Sequence, residues 1–362
     1  MTKYVIKRIL LAFISLFIIL SLTFLLMKTL PIEIPQGTTA DVKLAFLVKQ
    51  TNNGYMIELN SGSDFGCLTF DEVYQQYINL YGNPISSVRL LNSSDTHYFF
   101  NRPILDQYGA WLSSIFTKWD WGTSYAVDVN RDCMDIILAG LPYTIKVNAI
   151  SVVISVPLGI LLGVVAALNK NKATDNIIST LVMILISVPS FVLITFMIMI
   201  FGYNLKVLPT EWPKSFYPTG QKALGYIIPV VALSLGAICG YCRFTRAELC
   251  DVLSSDYLLL ARTKGLTKRQ AVIRHALRNA MVPILPSILA EIIGVLSGSM
   301  ILESLYNIPG IGTIFINALS YRDYNLLMVD MAIFTMIGLL ASIVLDLSYG
   351  FLDPRIRVGE KK

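Results

Sequence analysis

The stretch SSDYLLLARTKGLTKRQ, Ser254–Gln270, decides how this chain folds. Ser255 or Asp256 suits the position before a helix, because each offers a side-chain oxygen to the free N–H groups of the first turn. Tyr257–Lys264 then supplies about two helical turns. Gly265 fits the left-handed residue that closes a helix, and Leu266 the hydrophobic contact after it. Thr267 and Gln270 form a capping box that opens a second helix. On that helix Val272, Ile273, Ala276 and Leu277 share a face, apart from Lys268, Arg269 and Arg278. The product is a short, basic, partly apolar helix–turn–helix. One reading lays it flat on lipid headgroups as an amphipathic loop. The other makes it a knob that docks into another protein.

What flanks this loop is almost free of charge. A bilayer core of about 30 Å is crossed by about 20 apolar residues. Such runs occur at Ile9–Met27, Ile136–Leu168, Ile177–Tyr203, Ala223–Tyr241, Met281–Leu302 and Leu326–Tyr349. Lys3, Lys7 and Arg8 precede the first, as in a signal peptide. The run is too long for one and no small-residue cleavage site follows, so it reads as a retained helix. The whole chain of 362 residues is 54% hydrophobic and 15% charged, with a mean hydropathy of +0.62. This excludes a disordered chain, a disulfide scaffold, which five cysteines cannot build, and an ordinary soluble enzyme. With only His97 and His275 present, no histidine-based metal site or proton relay is expected, and no catalytic or metal-ligating set emerges.

Charge fixes the expected topology. Arg243–Arg278 holds eight bases (Arg243, Arg246, Arg262, Lys264, Lys268, Arg269, Arg274, Arg278) against three acids (Glu248, Asp251, Asp256). The N-terminus, Asn169–Asn176 and Phe351–Lys362 are basic too. Positive loops stay inside, so both termini are expected in the cytoplasm of a six-span, all-α membrane protein. Pro31–Asp135, with six bases and twelve acids, falls outside. The net charge of +5 is then topology rather than a nucleic-acid surface. The expected segments are 1–30 (first helix), 31–135 (external cap), 136–349 (spans two to six, with the loop at 244–282) and 350–362 (tail).

The external segment carries turn signals at Asn53-Gly54 and Gly82-Asn83-Pro84. Helical spacing appears at Thr69–Tyr81 and at Ile104–Phe116. Cys67 and Cys133 are its only cysteines, and either a pair or two free thiols is compatible with the sequence. Cys239-x-x-Cys242 lies in a membrane run with no second pair and is read as chance.

Asp256-Tyr-x-x-x-Ala-Arg-x-Lys-Gly-Leu266, followed by Arg274-His-Ala-Leu-Arg-Asn-Ala280, resembles the signature loop of ABC-importer permeases. More narrowly, it is similar to the B-type subunit of oligopeptide and dipeptide permeases. Lys3–Arg8, Thr23–Met27, Asp120–Tyr125, Leu141–Thr144, Ser187–Phe191, Arg243–Arg246, Glu303–Gly312, Arg322–Tyr324 and Asp353–Arg357 fit the same family, in order. Gln36–Thr96 looks longer than the family's usual external segment.

The resemblance implies a type I importer permease fold in a bacterial-type cell membrane, with a second homologous permease, two ATPase subunits and an external binding protein as partners. The cargo implied is a peptide; the same branch includes nickel-chelate and other small-solute permeases. The chain lacks a Gly-x-x-x-x-Gly-Lys-Ser/Thr loop, so ATP and Mg are expected on the partners. Asp256, Tyr257, Ala261, Arg262, Lys264, Gly265 and Leu266 are the expected ATPase-coupling residues. For the pathway the candidates are Glu291, the acid deepest in a span, with Ser187, Pro189 and Ser190. Lys146, Glu303 and Asp330 are expected to snorkel near the outer ends of spans or meet the binding protein. Asp346 is expected to be structural, and Pro157 and Pro189 to kink their helices. A channel or carrier working without an ATPase predicts internal repeats, and a membrane-embedded enzyme a convergent catalytic set; the sequence shows neither.

Overall fold

The computed structural model describes residues 2–30, 40–60, 70–81, 87–91, 96–214 and 218–352. Cys67, the turn at Gly82–Pro84 and the motif Asp353–Arg357 lie outside the described residues. The chain divides into two compact units. One comprises Met1–Ala12, Leu138–Ile316 and Ile333–Lys362, the other Phe13–Ile137 and Asn317–Ala332.

In the second unit, α1 (Thr2–Lys28) contributes its C-terminal half, followed by α2 (Ala40–Asn52), β1 (Met56–Asn60), α3 (Phe70–Tyr81), β2 (Ser87–Leu91), β3 (Thr96–Asn101) and α4 (Ile104–Lys118). The two helices expected from spacing are present as α3 and α4. The segment is not all helical, however: β3 runs antiparallel between β1 and β2, pairing Met56 with Asn101 and Ser87 with Phe100. Alternation along β3 sends Phe99 into a core with Phe46, Leu47, Met56 and Tyr125, and Tyr98 and Phe100 toward Tyr77. The short aromatic run His97–Phe100 carries this strand signal, which the helical spacing of its neighbours obscured. Phe24 of α1 stacks on Trp111 of α4 at 4.8 Å between ring centres.

The first unit is helical. After α5 (Cys133–Leu168) come α6 (Ala173–Ile186), α7 (Ser190–Met197) with a π-helical continuation to Asn204, α8 (Thr219–Leu224) and α9 (Ile227–Leu253). Then follow α10 (Asp256–Thr263), α11 (Lys268–Ala271), α12 (Leu277–Gly294), α13 (Met300–Leu305), α14 (Ile311–Ser320) and α15 (Tyr324–Leu352). By length and composition, Ile6–Lys28, Cys133–Leu168, Thr219–Leu253, Arg269–Gly294 and Tyr324–Ser348 each suffice to cross a bilayer. The expected third span is not one straight helix. It bends by 93° between Ile186 and Ser190. Pro189, at the N-cap of α7, lacks the N–H that would continue α6. Pro157, by contrast, sits inside an unbroken α5. The expected fifth span stops at Gly294 rather than Leu302, because Gly298 takes a left-handed turn (φ +66°) before α13 begins.

Helices α5 and α9 pack closely through Gly159 and Gly163. A Cβ on Gly163 would lie 2.7 Å from the Cys242 carbonyl oxygen, and one on Gly159 2.9 Å from that of Ile238. Small residues four apart let membrane helices approach to backbone contact. Gly163→Val therefore forces α5 and α9 apart at an overpacking cost of about 1–3 kcal/mol. Thermal unfolding of the purified variant should show a lowered midpoint, whereas Gly236→Ala, which meets open space, should leave it within error.

Candidate functional site

The loop between α9 and α12 takes the geometry its sequence implies. Ser255 stands at the N-cap of α10 with extended backbone, although its hydroxyl donates backward to the Val252 carbonyl (2.6 Å) rather than capping the first turn. Gly265 adopts φ +95° and closes the helix, its N–H donating to the Arg262 carbonyl at 3.0 Å. The capping box forms: the Gln270 N–H donates to Thr267 Oγ1 (3.3 Å), and the Thr267 N–H to Gln270 Oε1 (3.1 Å). One expectation changes. A π-helical turn at Val272–Ala276 shifts the phase of the second helix, so Val272 and Ala276 are buried but Ile273 is exposed.

Leu258 anchors α10. It is buried with Ala167, Leu249, Cys250, Ala271, Ala276 and Ala280, and Leu266 packs on the same cluster. The rest of the helix is left bare. Tyr257, Leu259 and Leu260 are 42%, 63% and 56% exposed, with Arg262, Thr263 and Lys264 beside them, also exposed, and Ala261 half-buried. Large apolar side chains left bare on one helix call for a partner surface. A cavity of about 410 Å³ between Leu168, Cys250, Leu258, Arg262 and Val272 undercuts the knob.

The base of the knob is tied down by a pair that sequence reasoning missed. Arg246 of α9 donates to both oxygens of Asp175 in α6, at 2.6 and 2.7 Å. Asp175 is 1% exposed. It also accepts from the Asn171 N–H (2.9 Å) and the Ser179 hydroxyl (3.2 Å), which holds the left-handed turn at Asn171. The available signal was a lone acid in an otherwise basic short loop.

Glu291 lines a cavity of about 340 Å³ with Asn148, Ser151, Val152, Leu233, Ala290, Gly294 and Val295. The Ser151 and Ser234 hydroxyls lie 3.0 Å apart there. Ser187, Pro189 and Ser190 are not brought to it; they are exposed at the bend between α6 and α7, where the Ser187 hydroxyl donates to the Met183 carbonyl (2.8 Å).

Glu303 and Asp330 do not snorkel: they are 1% and 0% exposed. Glu303 Oε2 accepts from the Gly312 N–H (2.9 Å) and the Thr144 hydroxyl (3.2 Å), while Thr144 Oγ1 accepts from the Ile311 N–H (3.0 Å). Gly298, Gly310 and Gly312 leave no room for a Cβ around that carboxylate, which explains the glycines of Glu303–Gly312. In the other unit, Asp323 Oδ2 accepts from the Ser124 hydroxyl (2.6 Å) and the N–H groups of Tyr125, Ala126 and Val127 (3.0–3.1 Å). The fragments Asp120–Tyr125 and Arg322–Tyr324 thus meet as one lock. Burial pushes the Tyr125 hydroxyl well above the ordinary tyrosine range; it donates to the Arg322 carbonyl at 2.6 Å. Asp346 pairs with Arg8 at 3.1 Å. Cys133 is a buried free thiol, as are Cys239 and Cys242, which pack against Val182. Among the described residues, no group of three or more His, Cys, Asp or Glu is placed to hold a metal ion.

Comparison with known proteins matches residues 159–358 to the family described as "Binding-protein-dependent transport system inner membrane component". The dipeptide transport system permease protein DppB of Lactococcus lactis subsp. cremoris is 30% identical over 358 residues, 99% of this chain and 100% of that protein. DppB of Bacillus subtilis is 32% identical over 285 residues, 77% of this chain and 90% of that protein. The oligopeptide transport system permease protein OppB of Escherichia coli K12 is 32% identical over 282 residues, 76% and 90% respectively. The match to the Lactococcus protein extends through the long segment 31–135.

Arg246→Ala strands a buried carboxylate. Breaking a buried pair costs about 3–5 kcal/mol, and the one-third exposure of Arg246 brings this down to about 2 kcal/mol. The double variant Arg246→Ala/Asp175→Ala should recover part of that loss in a thermal-unfolding cycle; a double variant no better than the sum of the singles contradicts the pairing.

Proposed function

The chain belongs to the family of binding-protein-dependent transport system inner membrane components, and on that premise we propose that it is the permease subunit of an ATP-driven importer of dipeptides or oligopeptides. Members of this family are multi-pass membrane proteins that work with ATPase and binding-protein partners. The names of the relatives, dipeptide and oligopeptide permeases, favour a peptide cargo over nickel chelates or other small solutes. The family's dependence on a binding protein favours an importer that works with partners over a channel that works alone.

The observation that carries the mechanism is α10. Leu258 fixes it to the ends of α5 and α9, Gly265 fixes its length, and Tyr257, Leu259 and Leu260 stand bare next to Arg262 and Lys264. In this reading Asp256, Tyr257, Ala261, Arg262, Lys264, Gly265 and Leu266 couple the permease to an ATPase subunit. A short helix anchored by one buried side chain moves as a rigid body when its exposed face is pushed, and the Asp175–Arg246 pair passes that movement to α6. This chain contributes no catalysis; ATP and Mg are held by the partner subunits. A second homologous permease completes the pathway, and both termini and α10 lie in the cytoplasm. Glu291, in its polar cavity, faces the translocation pathway, with Ser187, Pro189 and Ser190 marking a flexing point between α6 and α7.

Two variants test this reading. Gly265→Val adds a side chain into open space, so its effect is purely a backbone cost of about 1–2 kcal/mol at positive φ, paid by reorienting α10. Membrane insertion should be normal, while peptide uptake falls and less ATPase subunit co-purifies. Glu291→Gln should lower uptake with assembly intact. Normal uptake by the first removes the coupling role of the loop, and by the second the pathway role of Glu291.

A further inference from the structure

At the end of α9 opposite α10, separated from it by about 40 Å of helix, lies a second and larger recess. It encloses about 740 Å³ and is lined by Tyr143, Glu211, Trp212, Pro213, Lys214, Lys222, Tyr226, Asn307 and Pro309. Its size falls within the usual range for small-molecule sites. Three aromatic rings form one wall: Trp212 meets Tyr226 edge-on at 4.8 Å and Tyr143 edge-on at 6.1 Å.

The recess is rigidly built. The Trp212 N–H donates to the Tyr306 carbonyl (2.8 Å), and the Tyr306 hydroxyl donates back to the Pro209 carbonyl (2.9 Å). Gly225 leaves no room for a Cβ against Pro213. On the far side, the Thr144–Glu303–Gly312 cluster holds the turn that carries Asn307 and Pro309 beside Tyr143. Into this fixed frame project one carboxylate, Glu211, and two ammonium groups, Lys214 and Lys222. Among the described residues, none of the three is ion-paired with another side chain.

We propose that this recess binds the free peptide on its way into the membrane: Glu211 receives the α-ammonium, Lys214 and Lys222 the α-carboxylate, and the Trp212–Tyr226–Tyr143 wall the side chains. The inference rests on the peptide reading above and deepens it. Unpaired charges of both signs in the lining of one recess match a short zwitterion, which carries both termini. A protein loop has neither terminus. Aromatic faces accept many side chains, as a transporter of varied peptides requires. A frame clamped from two sides loses little freedom when it closes on its ligand.

The test uses the assembled complex in lipid nanodiscs without binding protein, and a tripeptide carrying a photo-reactive central side chain. Label should fall on Tyr143, Trp212 or Tyr226. N-acetylation or C-amidation of the tripeptide should weaken labelling about tenfold, the equivalent of about 1.4 kcal/mol. Glu211→Gln should abolish the effect of N-acetylation, and Lys222→Gln should reduce that of C-amidation; both change no buried contact, and co-purification of all subunits verifies assembly. Label elsewhere, equal labelling by capped and free peptides, or label only when binding protein is present overturns the inference. Uptake of the same tripeptide by the complete system separates the two levels: uptake with misplaced label sinks only this site, whereas absence of uptake sinks the peptide reading itself.

Discussion

A carboxylate shut away from water inside a folded unit must be answered by the protein's own donors, and that constraint organises this molecule. A buried carboxylate left alone costs several kcal/mol. Asp175, Glu303 and Asp323 are therefore each surrounded by donors from more than one segment of their unit: an arginine and a turn N–H, a threonine hydroxyl and a glycine N–H, a serine hydroxyl and three successive N–H groups. Each cluster joins stretches far apart in sequence. In the first unit the clusters at Asp175 and Glu303 leave the remaining helix contacts to apolar packing, to the glycine contacts of α5 and α9 and to the Ser151–Ser234 pair near Glu291.

This distribution separates what is rigid from what can respond. Glu303 and Thr144 hold the turn at Asn307–Pro309, and Asp175 and Arg246 hold the base of the loop that carries α10. Between them lies the 93° break at Pro189, where α6 and α7 meet without a continuous hydrogen-bond ladder. In the proposed reading, motion delivered at α10 reaches α6 through the bidentate Asp175–Arg246 pair and has a hinge to work against. In the same reading, a peptide entering at the far end meets a preformed recess. In this account the chain turns a push on one end into a change of access along its length, while the ATP chemistry stays with other subunits.

Much of this was legible in the sequence because the signals were local. Gly265, Leu266 and the Thr267–Gln270 box specify their own turn whatever surrounds them, and charge-free runs of about 20 residues specify spans. The fragments Asp120–Tyr125 and Arg322–Tyr324 were visible separately, but their union around Asp323 is a long-range contact with no local trace. Glu303 was misread for a related reason. A carboxylate at a span end looks like a snorkelling charge until the three glycines around it are seen to wrap it. Pro189 announced a kink in the third span, though not a bend as sharp as 93°, and the π-turn at Val272–Ala276 moved Ile273 off the face a regular helix would give it. The sheet within the segment 31–135 was hidden because Asn60 of β1 pairs with His97 of β3 across 36 intervening residues, whereas α3 and α4 announce themselves by spacing alone.

The central claim is that the bare face of α10 belongs to an ATPase subunit rather than to lipid headgroups. A photo-reactive amino acid in place of Leu259, 63% exposed on that face, tests it most directly when introduced into the complete complex in native membranes. The account predicts a cross-link to the ATPase subunit whose yield changes when ATP is added. Cross-linking to lipid alone, with or without ATP, would contradict it.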